Sequence, residues 1–173
     1  MTADTLLAFD EEDVGINDEP CALIVLDRGT DYLDAFPLKD KTADSHLKAL
    51  LEFAGPNYYI NELYTANSLE LIKAAADAKW IHSTSTPERP DTNGVAERSV
   101  RSVKQGARTT LLRSGLGLCI RFWVLGIQHW CFARNTRTKS ANGDCLPFGT
   151  TDNAYTRRRK NTRSKASASL LEL

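Results

Sequence analysis

The chain has 173 residues, of which 42% are hydrophobic and 25% are charged, and its formal net charge at pH 7 is zero. This length and composition predict one soluble globular domain with a core of its own. They argue against a membrane-spanning or secreted protein, because no apolar run approaches the roughly 20 residues that cross a bilayer and the N-terminus lacks the apolar region of a secretory signal.

The zero net charge hides an uneven distribution of charge along the chain. Residues 1–80 contain 16 acidic and 6 basic side chains, and residues 81–173 contain 6 acidic and 16 basic ones, so the two parts carry net charges of −10 and +10. Such a split indicates an acidic surface, suited to a metal ion, joined to a basic surface that faces a polyanion. The alternative is that the two parts attract each other.

The cysteines and histidines do not form a zinc-binding pattern. The four cysteines, at positions 21, 119, 131 and 145, contain no C-x-x-C pair, and the three histidines are scattered. Cys21 and Cys119 lie in apolar runs and are expected to be buried thiols. Unpaired, buried thiols favour a reducing, intracellular compartment.

The first part of the chain predicts three strands followed by a helix. Cys21–Leu26 is a nearly continuous apolar run, typical of a strand that is covered on both faces. Turn residues follow it, and the next strand is expected to pair with it as a hairpin. Thr42 is a suitable cap for a helix that stops at Gly55. The predicted elements are strands over 5–9, 21–26 and 32–37 and a helix over 43–53.

The second part alternates strand and helix and then becomes helical. Strands are expected over 60–64 and 80–82, and helices over 68–78 and 122–133. The longest predicted helix, 95–114, has apolar residues at positions 96, 100, 103, 107 and 111, which indicates an amphipathic helix with one face on the core.

From about residue 136 the apolar periodicity disappears. This region contains the basic run Arg157-Arg158-Arg159-Lys160 and a Ser/Ala-rich end. We therefore expect a globular domain over residues 1–137 and a basic, disordered tail over residues 138–173. The basic run is typical of a nuclear localisation signal or of a non-specific nucleic-acid-binding patch, so an intracellular protein is expected, with the nucleus as one location.

One segment is more informative than any other: Pro90-Asp91-Thr92-Asn93-Gly94-Val95-Ala96-Glu97-Arg98. A turn signal leads into the longest helix, whose first turn contains a carboxylate followed by basic residues. The segment resembles the P-x-x-N-G-x-x-E-R signature of retrovirus- and retrotransposon-type (copia-like) integrase catalytic cores. The element order β-β-β-α-β-α-β-α-α over residues 3–135 is also similar to theirs. The resemblance implies an α/β, RNase H-like fold, with a five-stranded mixed sheet flanked by helices.

The resemblance also implies a metal-dependent chemistry. Integrase cores use three carboxylates to hold two Mg²⁺ or Mn²⁺ ions, which promote in-line displacement at phosphorus. The first carboxylate matches Asp4, with Asp27 at the end of the second strand as the alternative, and the third matches Glu97. Asp4 and Glu97 are thus the expected catalytic and metal-binding residues. Taken alone, Glu97 is also explained as a glutamate that stabilises the first turn of its helix.

The second carboxylate of the family pattern is missing. The segment Tyr64-Thr65-Ala66-Asn67-Ser68-Leu69-Glu70 resembles the family's Asp-Asn-Gly/Ser-x-Glu sequence, but Ala66 stands where the aspartate is expected. A methyl group cannot bind a metal ion, and Glu70 lies about one helical turn further along. We therefore expect weakened metal binding and a polynucleotidyl transferase that is inactive or nearly so, a degenerate copy of the family.

DNA is the partner that the resemblance implies. Arg98, Arg101, Lys104 and Arg108 recur at intervals of three, three and four residues, which places them along one stripe of the helix. With Asn93, they are expected to contact the DNA backbone without sequence preference. The alternative is a solvated helix face. Asp91 departs from the family's usual glutamine and would repel a nearby phosphate.

The sequence therefore indicates an integrase-core-like domain associated with DNA integration and nucleic-acid binding, with impaired catalysis. The alternative is a non-catalytic nucleic-acid-binding or oligomerisation module on the same scaffold. The resemblance implies a homo-oligomer, and neither a membrane nor a small-molecule substrate is expected.

Overall fold

Five strands form one mixed sheet with helices on both of its faces. The computed structural model describes residues 1–8, 13–55, 60–85, 94–115 and 120–137. The strands are β1 (Thr2–Leu7), β2 (Cys21–Asp27), β3 (Tyr32–Leu38), β4 (Glu62–Thr65) and β5 (Ile81–Thr84). The helices are α1 (Ala43–Ala54), α2 (Leu69–Asp77), α3 (Gly94–Arg113) and α4 (Trp123–Arg137), with a 3₁₀ turn over Ile120–Phe122 before α4. The predicted five-stranded mixed sheet with flanking helices is confirmed.

The strand order places β1 at the centre of the sheet. The order is β3-β2-β1-β4-β5. Strands β1, β2 and β3 are antiparallel neighbours, as the hairpin prediction requires, whereas β4 is parallel to both β1 and β5. Because β1 pairs with β2 on one side and with β4 on the other, its polar residues are accommodated in the middle of the sheet.

Two apolar cores lie on opposite faces of the sheet, and β2 contributes to both. Leu23 and Val25 pack beneath α1 and α2, and Ala22 and Ile24 pack beneath α3 and α4. All seven residues of β2 are buried, which confirms the prediction of a strand covered on both faces. Cys21 is also buried and unpaired, as predicted, whereas Cys119 lies outside the described residues.

The ends of helix α1 are fixed by the residues that the sequence indicated. The Thr42 hydroxyl accepts a hydrogen bond from the Ser45 amide, and Gly55 ends the helix with a φ of 78°, a conformation that favours glycine. Helix α3 buries Ala96, Val103, Ala107 and Leu111, so the predicted amphipathic stripe is confirmed.

The first strand begins earlier than predicted. The sequence placed it over residues 5–9, on the apolar run, but β1 spans Thr2–Leu7. Asp4 therefore lies inside the strand and not before it, because pairing with β2 and β4 determines the bounds of β1 more strongly than the hydrophobicity of its residues. The expected tail, residues 138–173, lies outside the described residues.

The two parts of the chain that differ in charge occupy different faces of the sheet. Helices α1 and α2 carry four acidic and two basic residues, whereas α3 carries one acidic and five basic residues. Two ion pairs also connect the two parts, Arg121–Asp18 at 3.5 Å and Arg134–Asp31 at 2.8 Å. The uneven distribution of charge along the sequence thus gives the α1 and α2 surface a more acidic character than the α3 surface. The two ion pairs attract the two parts of the chain to each other locally.

Candidate active site

Asp4 lies on the face of β1 that supports α3. It is paired with Ile24 of β2, whose side chain belongs to the core beneath α3 and α4. Side chains of directly opposed residues point to the same face of a sheet, so Asp4 points toward these helices. Its Oδ1 atom accepts a hydrogen bond of 2.8 Å from the Thr5 amide, which fixes the orientation of the carboxyl group.

The Glu97 carboxylate lies within electrostatic reach of Asp4. Glu97 is in the first turn of α3 and is exposed to solvent. The pKa of Asp4 is raised from its ordinary value, first because the carboxyl is partly buried and then because the negative charge of Glu97 is close. The Thr5 amide and the Lys41 ammonium oppose this increase in pKa. Two acids that are 93 positions apart in sequence are therefore close enough to interact electrostatically.

Ala66 adjoins Asp4 at the end of the neighbouring strand. The parallel pairing of β1 with β4 ends with Ala3 opposite Thr65, so Asp4 and Ala66 are the next residues on their respective strands. The Thr65 hydroxyl donates to the Ala66 carbonyl at 2.7 Å and lies 2.8 Å from His82 Nε2. Burial lowers the pKa of His82. His82, to which the sequence assigned no role, thus supports the strand end that carries Ala66.

Asp27 ends β2, at the end of the sheet where β1 begins, and it organises a turn. Its Oδ1 atom accepts from the Gly29 amide at 3.1 Å, and its Oδ2 atom accepts from the Thr30 hydroxyl at 2.6 Å. These are the bonds expected of an aspartate that starts a β-turn. The charge of Glu97 raises the pKa of the other candidate, Asp4, and this favours Asp4 as the first carboxylate.

Glu70 lies near the same edge but is held by other groups. Its Oε2 atom accepts a hydrogen bond of 2.6 Å from the Ser68 hydroxyl, and its Oε1 atom is 3.8 Å from Lys41 Nζ. The Ser68 hydrogen bond is the main cause of its lowered pKa. Glu70 is therefore an N-terminal residue of α2 paired with a lysine, and it does not take the place of the missing carboxylate.

A buried histidine supports the strand beside Asp4. His46 of α1 is fully buried, with Nδ1 2.7 Å from the Thr42 carbonyl oxygen and Nε2 3.1 Å from the Thr5 hydroxyl. A carbonyl oxygen only accepts, so Nδ1 carries the hydrogen in the contact with Thr42. This interaction fixes the residue whose amide binds the Asp4 carboxylate.

Carboxylates such as Asp4 and Glu97 are the ligands that a hard divalent ion prefers. Among the described residues, no group of three histidine, cysteine, aspartate or glutamate side chains is placed to hold a metal. Mg²⁺ is commonly bound by one or two carboxylates together with water and a substrate phosphate. Asp4 and Glu97 supply two such carboxylates, and the methyl group of Ala66 supplies no ligand.

The basic residues of α3 lie on two sides of the helix. Lys104 and Arg108 line a cavity of about 270 Å³ beside Leu6, Leu7 and Trp123. Arg98 instead lines a cleft with Asp31 and Arg134, near the start of β3.

Glu97, Arg101, Lys104 and Arg108 are spaced by four, three and four residues, so they share one flank of α3. Arg98, three residues before Arg101, lines a different cleft from Lys104 and Arg108. Asn93 and Asp91 lie outside the described residues.

Comparison with known proteins shows a structural likeness only. No family model matches this sequence, and neither does any of the curated proteins. Among solved structures, the catalytic core domain of BIV integrase aligns with a TM-score of 0.58 over 94% of this chain and 96% of that chain, with 14% sequence identity. The chain thus has the RNase H-like fold of an integrase core, as predicted. In the described part of the chain, no helix is both long and apolar enough to cross a membrane.

Proposed function

We propose that this chain is an integrase-type catalytic core that binds DNA and in which metal-dependent polynucleotidyl transfer is impaired. One observation supports the proposal: the charge of Glu97 raises the pKa of Asp4, and Ala66 lies beside Asp4 where the parallel pairing of β1 and β4 ends. Two surviving carboxylates and one lost carboxylate are what the family resemblance predicts for a degenerate copy. The proposal includes the copia-like relationship that the sequence suggested.

The roles of the site residues follow from their surroundings. A divalent ion bound at Asp4 and Glu97 would supply a positive charge that stabilises the negative charge developing at phosphorus. The Thr5 amide holds Asp4 in one orientation, and the Thr5 hydroxyl is itself tied to His46. Glu97 is exposed and reaches the site from a separate element, α3, so any shift of α3 changes the spacing of the two carboxylates.

Activity on DNA tests the catalytic part of the proposal. We expect the wild-type chain to show little or no 3′-end cleavage or strand transfer with Mg²⁺ or Mn²⁺. Ala66→Asp should raise the rate by at least about 100-fold, because it restores a ligand for the charge-stabilising ions. Ala66→Asn, which has the same shape without the charge, is the matched control. Robust wild-type activity would contradict the proposal that catalysis is impaired, and its persistence in Glu97→Gln would also contradict the role of Glu97.

DNA affinity tests the binding part. Arg101→Glu with Arg108→Glu should weaken binding at low salt, and it should reduce the slope of log affinity against log salt by about two, one for each lost phosphate contact. The matched control is Lys48→Glu with Lys73→Glu, which changes net charge equally on the α1 and α2 face. Equal losses in both double variants would exclude α3 as the DNA-binding surface.

The second candidate function is a non-catalytic nucleic-acid-binding or oligomerisation module on the same scaffold. It is favoured by Ala66, which removes a metal ligand without disturbing the sheet. The two functions differ in the response to Ala66→Asp. Under the second function, DNA binding by the wild-type chain is unaffected by EDTA, and the Asp variant gains no activity.

A further inference from the structure

Strand β3 lies at one edge of the described sheet, and its outer side carries backbone groups that do not pair with β2. In an antiparallel pair, alternate residues direct both of their backbone groups at the neighbouring strand. Leu33 uses its N–H and its C=O to bond to α4, so it directs them outward, and Ala35 and Pro37 of the same register do likewise. An edge of this kind is normally a template on which another strand can be added.

Asn135 covers the first of these outward positions. Its Oδ1 atom accepts from the Leu33 amide at 3.2 Å, and its Nδ2 atom donates to the Leu33 carbonyl at 2.7 Å. The buried side-chain amide thus makes the two bonds that a residue of an added strand would make. The neighbouring Arg134 donates to the Asp31 carbonyl at 2.7 Å and to its carboxylate at 2.8 Å, which fixes the last turn of α4 against the start of β3.

The next two outward positions are closed by different chemistry. The Ala35 amide donates to Asp34 Oδ1 at 2.8 Å, and Pro37 has no amide hydrogen to donate. Asp34 lies opposite Val25, which belongs to the core beneath α1 and α2, so its carboxylate points inward. An inward-pointing charge on an edge strand also discourages the addition of another strand. Burial raises the pKa of Asp34, so the protein keeps this charge at pH 7 although the ionised form costs stability.

We propose that the outer edge of β3 is closed to strand addition by Asn135, Asp34 and Pro37, so that copies of this chain cannot join their sheets through β3. The inference goes beyond the proposed function, because it concerns association and holds equally for a catalytic and a non-catalytic chain. It also gives the last turn of α4 a role besides packing, since Asn135 is the cover of the edge.

The double variant Asp34→Val with Pro37→Val tests the inference in the full chain. It releases the Ala35 amide and restores an N–H at position 37, and it should fold because a buried charge is removed and α4 is unchanged. Sedimentation velocity at several protein concentrations measures association, and hydrogen exchange of the Ala35 amide shows whether β3 is the surface used. The variant should associate more strongly than the wild type, and its Ala35 amide should exchange several-fold more slowly at high concentration than at low concentration.

The matched control is Asp77→Val with Pro20→Val, which makes the same two changes at the exposed end of α2 and at a residue whose carbonyl bonds to Ala8. It should sediment as the wild type does. Adding Asn135→Ala to the double variant also uncovers Leu33 and should strengthen association further. If this triple variant does not fold, the double variant decides the question alone.

Two results would overturn the inference. One is a folded double variant whose association and Ala35 exchange match those of the wild type, because the three residues would then not be what closes the edge. The other is a wild-type chain whose Ala35 amide gains protection as the protein concentration rises, because strand addition at β3 would then occur with all three residues in place.

Discussion

Replacing Ala66 with aspartate should destabilise the metal-free protein and make its stability depend on divalent ions. Asp4 and Ala66 follow the last parallel pair of β1 and β4, and neighbouring strands are about 4.8 Å apart. Two carboxylates about 5 Å apart repel each other by about 3 kcal/mol at an effective dielectric constant of about 20. Asp4 and Ala66 are both partly exposed, so screening reduces this energy to about 1–2 kcal/mol.

The assay is thermal unfolding of Ala66→Asp beside Ala66→Asn, in EDTA and in Mn²⁺. At pH 7 in EDTA, the aspartate variant should melt about 3–6 °C below the asparagine variant. Mn²⁺ at 100 times its dissociation constant should raise the free energy of unfolding of the aspartate variant by about 2.7 kcal/mol. The increase for the asparagine variant should be smaller.

The difference in melting temperature between the aspartate and asparagine variants should grow as the pH rises. The folded-state pKa of Asp4 is raised, so ionised Asp4 costs stability, and this cost appears as the pH rises above the unfolded-state value of about 3.9. Near pH 3 both carboxyls are protonated, and the two variants should melt together. Equal melting temperatures at pH 7 in EDTA would refute the adjacency of positions 4 and 66.

Three further predictions concern the scaffold. Gly106→Ala should destabilise the fold by about 1–3 kcal/mol in urea unfolding, because a Cβ atom at this position would overlap the Trp130 indole. This overpacking outweighs a gain in helix propensity of about 1 kcal/mol. An unchanged stability would contradict the close packing of α3 on α4. Thr2→Val should stabilise the fold by about 1 kcal/mol in the same assay, because the buried Thr2 hydroxyl has no hydrogen-bond partner among the described residues; a loss of stability would show that the hydroxyl is satisfied. Asp34→Asn should stabilise the fold at pH 7 and not near pH 3. Burial raises the pKa of Asp34, so its ionised form costs stability as the pH rises above about 3.9. A gain in stability that is independent of pH would exclude this cause.

The sequence predicted elements well where local chemistry determines them. The apolar run of β2 indicated a strand buried on both faces, Thr42 and Gly55 indicated the bounds of α1, and the spacing of apolar residues indicated α3. These features depend on neighbours within a few positions of the chain, so they can be read from one sequence.

The sequence predicted β1 and the surroundings of the site less well. Thr2, Asp4 and Thr5 occupy a central strand although they are polar, because pairing with β2 and β4 determines the bounds of β1. The choice between Asp4 and Asp27 also needed the sheet order, since both are aspartates in or next to predicted strands.

Soaking crystals with Mn²⁺ and locating the ion by anomalous scattering tests the central claim most directly. The account predicts one ion bound by oxygens of both Asp4 and Glu97, at about 2.1–2.2 Å, with the Ala66 methyl group facing the same space. An ion bound elsewhere, or carboxyl groups of Asp4 and Glu97 too far apart to share one ion, would contradict the account.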